Sequence, residues 1–295
     1  MDLDSLIVAV FCLVDDTLAR AVPGRLRRRG PRPVLYDSEV LTVELVGEHL
    51  GLDCDTEVFA YFRRHYAHFF PALCRVHRTT FARQAANLWR VKEALWQRLL
   101  GRTGCDPRWA LVDSFPVAVC RFARAPRSRA FRGEAGFGKD HTIKQTFYGF
   151  RLHARVAWPG VVTRLSVCAA GVPDLAALEE LTEQTTGVCL GDRNYWSPDL
   201  SAQSRERGLE MLVPFKKATS DPDPERSRAI SSIRYRIETV FSQLCERFSV
   251  KRVRARDLWH LSSRLLRKVL AHTLMVALNR EQRNEPLRLA ELLTN

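Results

Sequence analysis

The chain has 295 residues, of which 46% are hydrophobic and 27% charged. A chain of this length and composition can bury a core in one large or two ordinary domains, which excludes wholesale disorder. Lys and Arg number 46 against 33 Asp and Glu, a formal net charge of +13, and residues 225–295 alone carry 15 basic and 7 acidic side chains. An excess of this size indicates a polyanionic partner, most often nucleic acid.

The sequence offers no segment that could cross a membrane. Its longest purely apolar run, residues 6–14, has nine residues, whereas a spanning helix needs about 20. Asp2 and Asp4 precede that run, where a secretory signal carries positive charge. We therefore predict a cytoplasmic protein without membrane contact. Its eight cysteines, none in a Cys-x-x-Cys pair, are typical of reduced thiols.

The first third of the chain has apolar residues at helical spacing. This pattern predicts four helices, over residues 6–18, 40–50, 58–70 and 81–100. Between the first two helices, residues 23–33 combine five arginines with Pro and Gly, which is typical of a linker or of an arm that enters a DNA minor groove. A possible zinc set follows the third helix, at His65, His68, Cys74 and His77. The aromatic residues among these four favour a helix end packed into a core.

From residue 109 onward the pattern changes to alternating strands. It predicts strands over residues 109–120, 146–158, 161–170, 187–190 and 209–215. Helices are predicted over residues 174–185, 197–207 and 225–248, followed by helical sequence to the end. This order predicts an α/β fold, with a mixed five-stranded sheet flanked by helices and preceded by an all-helical N-terminal region.

Three carboxylates stand out against this background. Asp113 interrupts a strand suited to burial, Asp192 directly follows a short apolar strand, and Glu238 lies on the margin of an apolar helix stripe. Each also has a purely structural explanation: a strand-end pair with an arginine, an Asx turn, and an i, i+4 pair with Arg234.

The combination is more informative than its members. If the two strands are neighbours and the helix crosses them, the three carboxylates converge, and their mutual repulsion requires cations between them. Hard oxygen ligands of this kind suit Mg²⁺ or Mn²⁺. Two such ions stabilise the attacking and leaving oxygens of a displacement at phosphorus. We therefore predict Asp113, Asp192 and Glu238 as catalytic metal ligands.

Five segments follow one another along the chain at residues 37–42, 111–114, 147–153, 191–195 and 234–241. Taken in this order, they resemble the DDE transposases of bacterial insertion sequences, specifically the group called the insertion-sequence nine-eighty-two family. The resemblance implies an RNase H-like catalytic domain and the same three metal ligands. It also implies cleavage of the ends of the element and their joining to target DNA, by a homodimer or larger assembly on double-stranded DNA.

Two positions depart from the pattern of related enzymes, which carry Tyr-x2-Arg-x3-Glu-x6-Lys around the last carboxylate. Arg234 and Glu238 match, but Ser231 stands at the Tyr position and Cys245 at the Lys position. Arg247 or Lys251 could supply the missing phosphate contact. Asn194 replaces a Gly that is common after the second carboxylate, and Asn tolerates the same backbone angles.

Basic side chains near these carboxylates are predicted to contact DNA phosphates. They are Arg121, Arg124, Arg127, Arg129, Arg132, Lys139, Arg234, Arg247, Lys251, Arg252 and Arg254. The domain plan is a helical DNA-binding and assembly region over residues 1–104, a catalytic domain over 105–282 and a tail over 283–295. We expect the protein to be associated with the nucleoid when it is bound to DNA. Two alternatives remain open: a catalytically decayed transposase that only binds DNA, and a metal-dependent nuclease that never rejoins strands.

Overall fold

The computed structural model describes residues 1–22, 24, 26, 31–140 and 143–293. It contains two compact units: unit 1 comprises residues 1–104 and 244–295, and unit 2 comprises residues 105–243. Within the described ranges, no helix has the length and apolar character that crossing a bilayer demands. The sequence assigns DNA binding and assembly to residues 1–104, catalysis to residues 105–282 and a tail to residues 283–295. This assignment of functions stays a prediction.

Unit 1 is built from helices, as predicted for the N-terminal region. Its helices are α1 (Leu3–Ala21), α2 (Asp37–His49), α3 (Asp55–His65), α4 (Arg78–Asn87), α5 (Trp89–Thr103) and α10 (Leu258–Glu281). The central helix α10 packs against α5, α2 and α4 and is buried along most of its length. Of the predicted arm, Arg25, Arg27, Arg28 and Arg29 lie outside the described residues.

The prediction of one continuous helix over residues 81–100 is wrong, because α4 and α5 are separate helices that meet at Leu88. In a continuous helix the carbonyl of Ala85 would accept the N–H of Trp89. Here that carbonyl accepts from Lys92 Nζ at 2.9 Å and from Ser263 Oγ at 3.3 Å. Side chains thus replace the helical bond. The third predicted helix is also shorter than expected, since α3 ends at His65.

A network of charges lies inside unit 1. Its members are Glu44, Glu48, Asp55, Lys92, Arg267 and Lys268, contributed by α2, α3, α5 and α10. Arg267 donates from Nε to Glu48 and from Nη1 to Asp55, both at 2.6 Å. The three acids are neutralised by these three bases and, at Asp55, also by Arg264 Nη2 at 2.8 Å, because an unpaired charge in such a place costs several kcal/mol. The network therefore fixes how the helices of unit 1 pack.

Unit 2 is built around a mixed sheet of six strands, one more than predicted. The strands are β1 (Asp106–Arg121), β2 (Gly136–Asp140), β3 (Gln145–Trp158), β4 (Val161–Ala169), β5 (Gly187–Leu190) and β6 (Leu209–Leu212). Their order is β2, β3, β1, β5, β6, and β4 pairs with β3 beside β2. β1, β3 and β4 are antiparallel, whereas β5 and β6 run parallel to β1.

The missed strand β2 lies between the first two predicted strands, where the sequence predicts no strand or helix. It pairs with the first residues of β3, opposite Gly149 at one end. A Cβ at Gly149 would come within 2.3 Å of the carbonyl oxygen of Val117. Only glycine therefore allows β3 to approach β1 at the point where their register shifts, after Ala118.

Helices cover both faces of this sheet. They are α6 (Asp174–Thr182), α7 (Pro198–Glu206), α8 (Pro224–Ile233) and α9 (Tyr235–Glu246). Because side chains alternate along a strand, β1 presents Ala110 and Val112 to a core with α6. It presents Phe115 to the other face, where the ring meets Phe241 of α9 with 4.7 Å between centroids.

The long helix predicted over residues 225–248 is in fact two helices, α8 and α9, joined at Arg234. The N–H of Arg234 bonds the carbonyl of Ser231, three residues earlier, instead of continuing the α-helical pattern. This tight turn directs the Arg234 side chain to the sheet, where it bonds Asp113. The break therefore lies at the residue that joins the helix pair to the predicted site.

Candidate active site

Asp113 and Asp192 occupy equivalent positions on neighbouring parallel strands. Leu111 of β1 pairs with Leu190 of β5, and each aspartate follows its leucine by two residues. Adjacent strands lie about 4.8 Å apart, and residues two apart share a face. The backbone therefore brings the two carboxylates together at the carboxyl end of β5.

Asp192 is held by the loop that follows β5. Its Oδ1 accepts the N–H of Asn194 at 2.9 Å, and its Oδ2 accepts from Asn194 Nδ2 at 3.1 Å. This is the Asx turn that the sequence offered as a structural explanation. The turn fixes the carboxylate beside Asp113, so the structural and functional explanations are compatible.

Arg234 makes the closest contact with Asp113. Its Nη2 lies 2.6 Å from Asp113 Oδ2, and each side chain is 18% exposed. The other oxygen of Asp113, Oδ1, accepts the backbone N–H of Ser114 at 2.8 Å. Both oxygens of this carboxylate are therefore hydrogen-bonded.

Burial dominates the electrostatics of the pair. It raises the pKa of Asp113 from 3.8 to about 6, against the opposing effect of Arg234, and Asp192 raises it further. Burial also raises the pKa of Asp192, again opposed by Arg234. Arg234 thus favours the ionised form of both carboxylates. Two half-buried carboxylates that share a single arginine form a donor set that a hard divalent cation fits.

Glu238 is not part of this pair in the structure. It is exposed on the first turn of α9, and its N–H bonds the carbonyl of Arg234 at 3.3 Å. Across the described residues, three potential ligand atoms within 4.8 Å of one another occur at Asp53, Cys54 and Glu57 in unit 1, and not at the three predicted carboxylates. Glu238 therefore lies one helical turn from the residue that binds Asp113, with its carboxylate outside the pair.

Sequence reasoning missed a second polar cluster, on the opposite face of β1. Ser114 Oγ donates to Asp174 Oδ1 at 3.0 Å, and Arg151 Nη1 lies 3.6 Å from the same oxygen. His153, with a fully buried side chain, places Nδ1 3.7 Å from it, and burial lowers the pKa of His153 to about 4. The signal available was Arg151 and His153, two residues apart on a predicted strand and therefore on one face.

A cleft of about 450 Å³ opens beside this cluster. Arg151 and Asp174 line it together with Phe137 and Lys139 of β2 and with Asn194, whose amide holds Asp192. The cleft therefore extends from β2 to the loop that carries the second aspartate of the pair.

The basic residues predicted near Asp113 are exposed. In unit 2 they are Arg121, Arg124, Arg127, Arg129, Arg132 and Lys139. Arg121 ends β1, the strand of Asp113, and Lys139 lies in β2. Their charges therefore follow the candidate site along the chain and face solvent.

The second basic group belongs to unit 1. Lys251, Arg252 and Arg254 are exposed, whereas Arg247 is half-buried, with Nη2 3.2 Å from His49 Nε2 and 3.4 Å from its Nδ1. Burial lowers the pKa of His49 to about 3, so the arginine faces a neutral ring. Arg247 has a packing role in this state.

The structure also shows the surroundings of the two residues that depart from the transposase motif and of the possible zinc set. Ser231, at the expected Tyr position, donates to the carbonyl of Ser227 at 2.8 Å. Cys245, at the expected Lys position, is half-buried, and burial raises its pKa. Of the four residues weighed as a zinc set, His68 packs on Phe69 at 4.5 Å between centroids, and His77 caps α4.

Fold and site together define an α/β protein with paired carboxylates at the ends of adjacent parallel strands of a mixed sheet. The chain belongs to the family described as transposase DDE domain, whose model matches residues 104–258. It is thereby a DDE transposase by family, and such proteins bind DNA and generally use divalent metal ions. A search of curated proteins and a search of solved structures return no match.

Proposed function

We propose that the protein cleaves the ends of its insertion sequence and joins them to target DNA by divalent-metal-dependent phosphodiester transfer. The observation that carries the proposal is the register of β1 and β5, in which Leu111 pairs with Leu190 two residues before Asp113 and Asp192, together with the ion pair of Arg234 and Asp113. This arrangement lies within the part of the chain that matches the transposase family. We assign it to the nine-eighty-two group on the five segments described above.

The proposed metal ligands are Asp113, Asp192 and Glu238. The first two follow paired residues of neighbouring strands, and Glu238 lies one helical turn beyond Arg234. Bound Mg²⁺ or Mn²⁺ supplies Lewis-acid activation of water or of a 3′ hydroxyl and neutralises charge on the phosphate. The protein supplies the positions of the carboxylates, fixed by Ser114 N–H and by the Asx turn at Asn194.

The proposed catalytic domain is RNase H-like and begins at residue 105. Three antiparallel strands, two added parallel strands and helices on both faces support this assignment. We further propose that residues 1–104 bind DNA and support a homodimer or larger assembly, because two element ends have to be held together. The protein then acts on DNA in the cytoplasm, at the nucleoid.

The substrate is double-stranded DNA. Six exposed cations, from the last residue of β1 to Lys139 in β2, and the cleft lined by Lys139 and Arg151 support a path for phosphates beside the acidic pair. In unit 1, Lys251, Arg252 and Arg254 are exposed and suited to the same partner. Arg247 serves in this role only if it leaves His49.

A cleavage and strand-transfer assay tests the proposal. Labelled duplexes carrying the inverted repeats that flank the reading frame are incubated with the protein, target plasmid and Mg²⁺ or Mn²⁺. We expect nicked ends and joined products from the wild type, binding without either product from Asp192→Asn, and wild-type products from Asp199→Asn, a matched change on exposed α7.

The possible outcomes separate the alternatives. Cleavage without joined products indicates a nuclease. Specific DNA binding without metal-dependent cleavage indicates a decayed transposase, which the departures at Ser231 and Cys245 would then explain. Unchanged cleavage by Asp192→Asn removes Asp192 from its proposed role.

A further inference from the structure

We infer, on the basis of the function proposed above, that Arg234 is a built-in counter-ion: it pairs with Asp113 and competes with a divalent cation for this carboxylate. The released guanidinium is then free to contact a DNA phosphate. Arg234 thereby tunes metal affinity in addition to contacting DNA.

The first argument is the occupancy of Asp113. Arg234 Nη2 holds Oδ2 at 2.6 Å, and the Ser114 N–H holds Oδ1 at 2.8 Å. The backbone donor is fixed by the strand, whereas the Arg234 side chain can move, so Oδ2 is the oxygen that becomes more available to a cation when its partner leaves. Binding of a cation there and retention of the arginine at 2.6 Å compete.

The second argument is the position of Arg234 relative to both carboxylates. It bonds Asp113 directly, and Asp192 follows the strand that pairs with the strand of Asp113. Arg151, a half-buried arginine on the opposite face of β1, is committed to Ser114 Oγ and Asp174. Arg234 therefore supplies a positive charge where a metal ion would bind.

The third argument is the placement of Arg234 at the junction of α8 and α9. Its side chain can swing without disturbing a helix interior, and Glu238 lies one turn further on.

Binding of Mn²⁺ without DNA tests this inference, read from the electron paramagnetic resonance signal of the free ion. Arg234→Met is compared with Arg236→Met, which removes the same charge two residues further along the chain. The guanidinium of Arg236 lies over the ring of Trp158, 4.8 Å from its centroid. We expect Arg234→Met to bind Mn²⁺ roughly ten-fold more tightly than the wild type, because a charge-assisted bond no longer competes. Arg236→Met should stay within about two-fold of the wild type, since it controls for lost charge alone.

Thermal unfolding gives a second readout that does not depend on activity. Without metal, Arg234→Met should melt at a lower temperature than Arg236→Met, because Asp113 loses its partner. Saturating Mn²⁺ should raise the melting temperature more in Arg234→Met than in the wild type, in line with its tighter binding. Arg234→Gln, which keeps a hydrogen-bonding amide, repeats both measurements in case the methionine variant does not fold.

Asp113→Asn separates this inference from the proposed function. If Asp113→Asn weakens Mn²⁺ binding while both Arg234 variants keep wild-type affinity, the counter-ion role is refuted and the metal site stands. If Asp113→Asn binds Mn²⁺ as the wild type does, the metal site itself is refuted, and the counter-ion role with it. Tighter binding by the Arg234 variants, lost on adding Asp113→Asn, supports both.

Discussion

Replacing Asp113 by Asn should stabilise the metal-free protein at neutral pH while removing its proposed catalysis. The wild-type carboxylate is largely buried, with 18% of the side chain exposed. The substitution keeps the shape, but Asn has a single acceptor oxygen, so it can accept from Ser114 N–H or from Arg234 and not from both, as the two oxygens of Asp113 do. What it removes is the cost of holding an ionised group in that place.

The magnitude follows from the pKa of Asp113. Folding raises that pKa from 3.8 to about 6, which corresponds to about 3 kcal/mol between the two protonation states. Because the folded state holds the proton more tightly, the cost is absent below pH 3.8, grows between there and about pH 6, and is complete above. The loss of the charged partner of Arg234 offsets part of the gain, so we expect about 1 to 3 kcal/mol at pH 7.5.

Urea unfolding with a chelator present, at several pH values from 4.5 to 7.5, measures this difference. The stability of Asp113→Asn relative to the wild type should rise with pH and level off above about pH 6.5. Asp199→Asn, an exposed change on α7, serves as the control and should show no such rise. A stability difference that is independent of pH, or that favours the wild type at pH 7.5, refutes this account of Asp113.

Three further results are expected. Arg267→Met should destabilise unit 1 by about 3 to 5 kcal/mol in urea unfolding, because it strands buried carboxylates; a loss below about 1 kcal/mol contradicts the network as described. Burial lowers the pKa of His272 from 6.5 to about 4, so on acidification this histidine is protonated in the unfolded chain before it is protonated in the folded protein. The free energy of unfolding of the wild type should therefore fall by about 3 kcal/mol as the pH is lowered through that range. The free energy of unfolding of His272→Leu should not show this decrease. If the free energies of unfolding of the two proteins depend on pH in the same way, the role given to His272 is refuted. Replacing Arg127 and Arg129 together by Ala should weaken DNA binding for all sequences and reduce the salt dependence of the affinity by about two charges, as measured by fluorescence anisotropy; an unchanged salt slope argues that these exposed arginines do not contact phosphates.

The main strands of unit 2 were predictable because alternation and apolar runs are local signals. β1, β3, β4 and β5 lie where the sequence indicates them. β2 was missed because Gly136, Gly138 and Asp140 have little preference for strands. Its extended conformation comes from pairing with β3, a partner that no local pattern reveals.

The two helix breaks were missed for a related reason. Helical periodicity continues through Leu88 and Arg234, so a pattern of apolar residues gives no sign of a boundary. The first break depends on Lys92 and Ser263, the latter far along the chain, bonding one carbonyl. The second carries Arg234 to Asp113 across 121 positions of sequence. Tertiary contacts outweigh local preference at both points.

The site was predictable in part. Strand-end positions suffice to place Asp113 beside Asp192, since parallel neighbours in register bring them together. The pairing of Arg234 with Asp113 was open among the alternatives, because the type of residue does not reveal which carboxylate an arginine bonds. Asp174 and its partners were missed because their grouping depends on a loop that returns to the reverse face of β1.

The charge network of unit 1 has a consequence for how the chain matures during synthesis. Glu44, Glu48 and Asp55 emerge from the ribosome long before Arg267 and Lys268, which neutralise them. All of unit 2 is translated in between. The N-terminal helices therefore cannot complete their packing until α10 is synthesised, and their carboxylates stay hydrated until then. Unit 2 is free to fold first. A nascent chain interrupted before α10 exposes an unfinished apolar face, which makes abortive products easy targets for proteolysis.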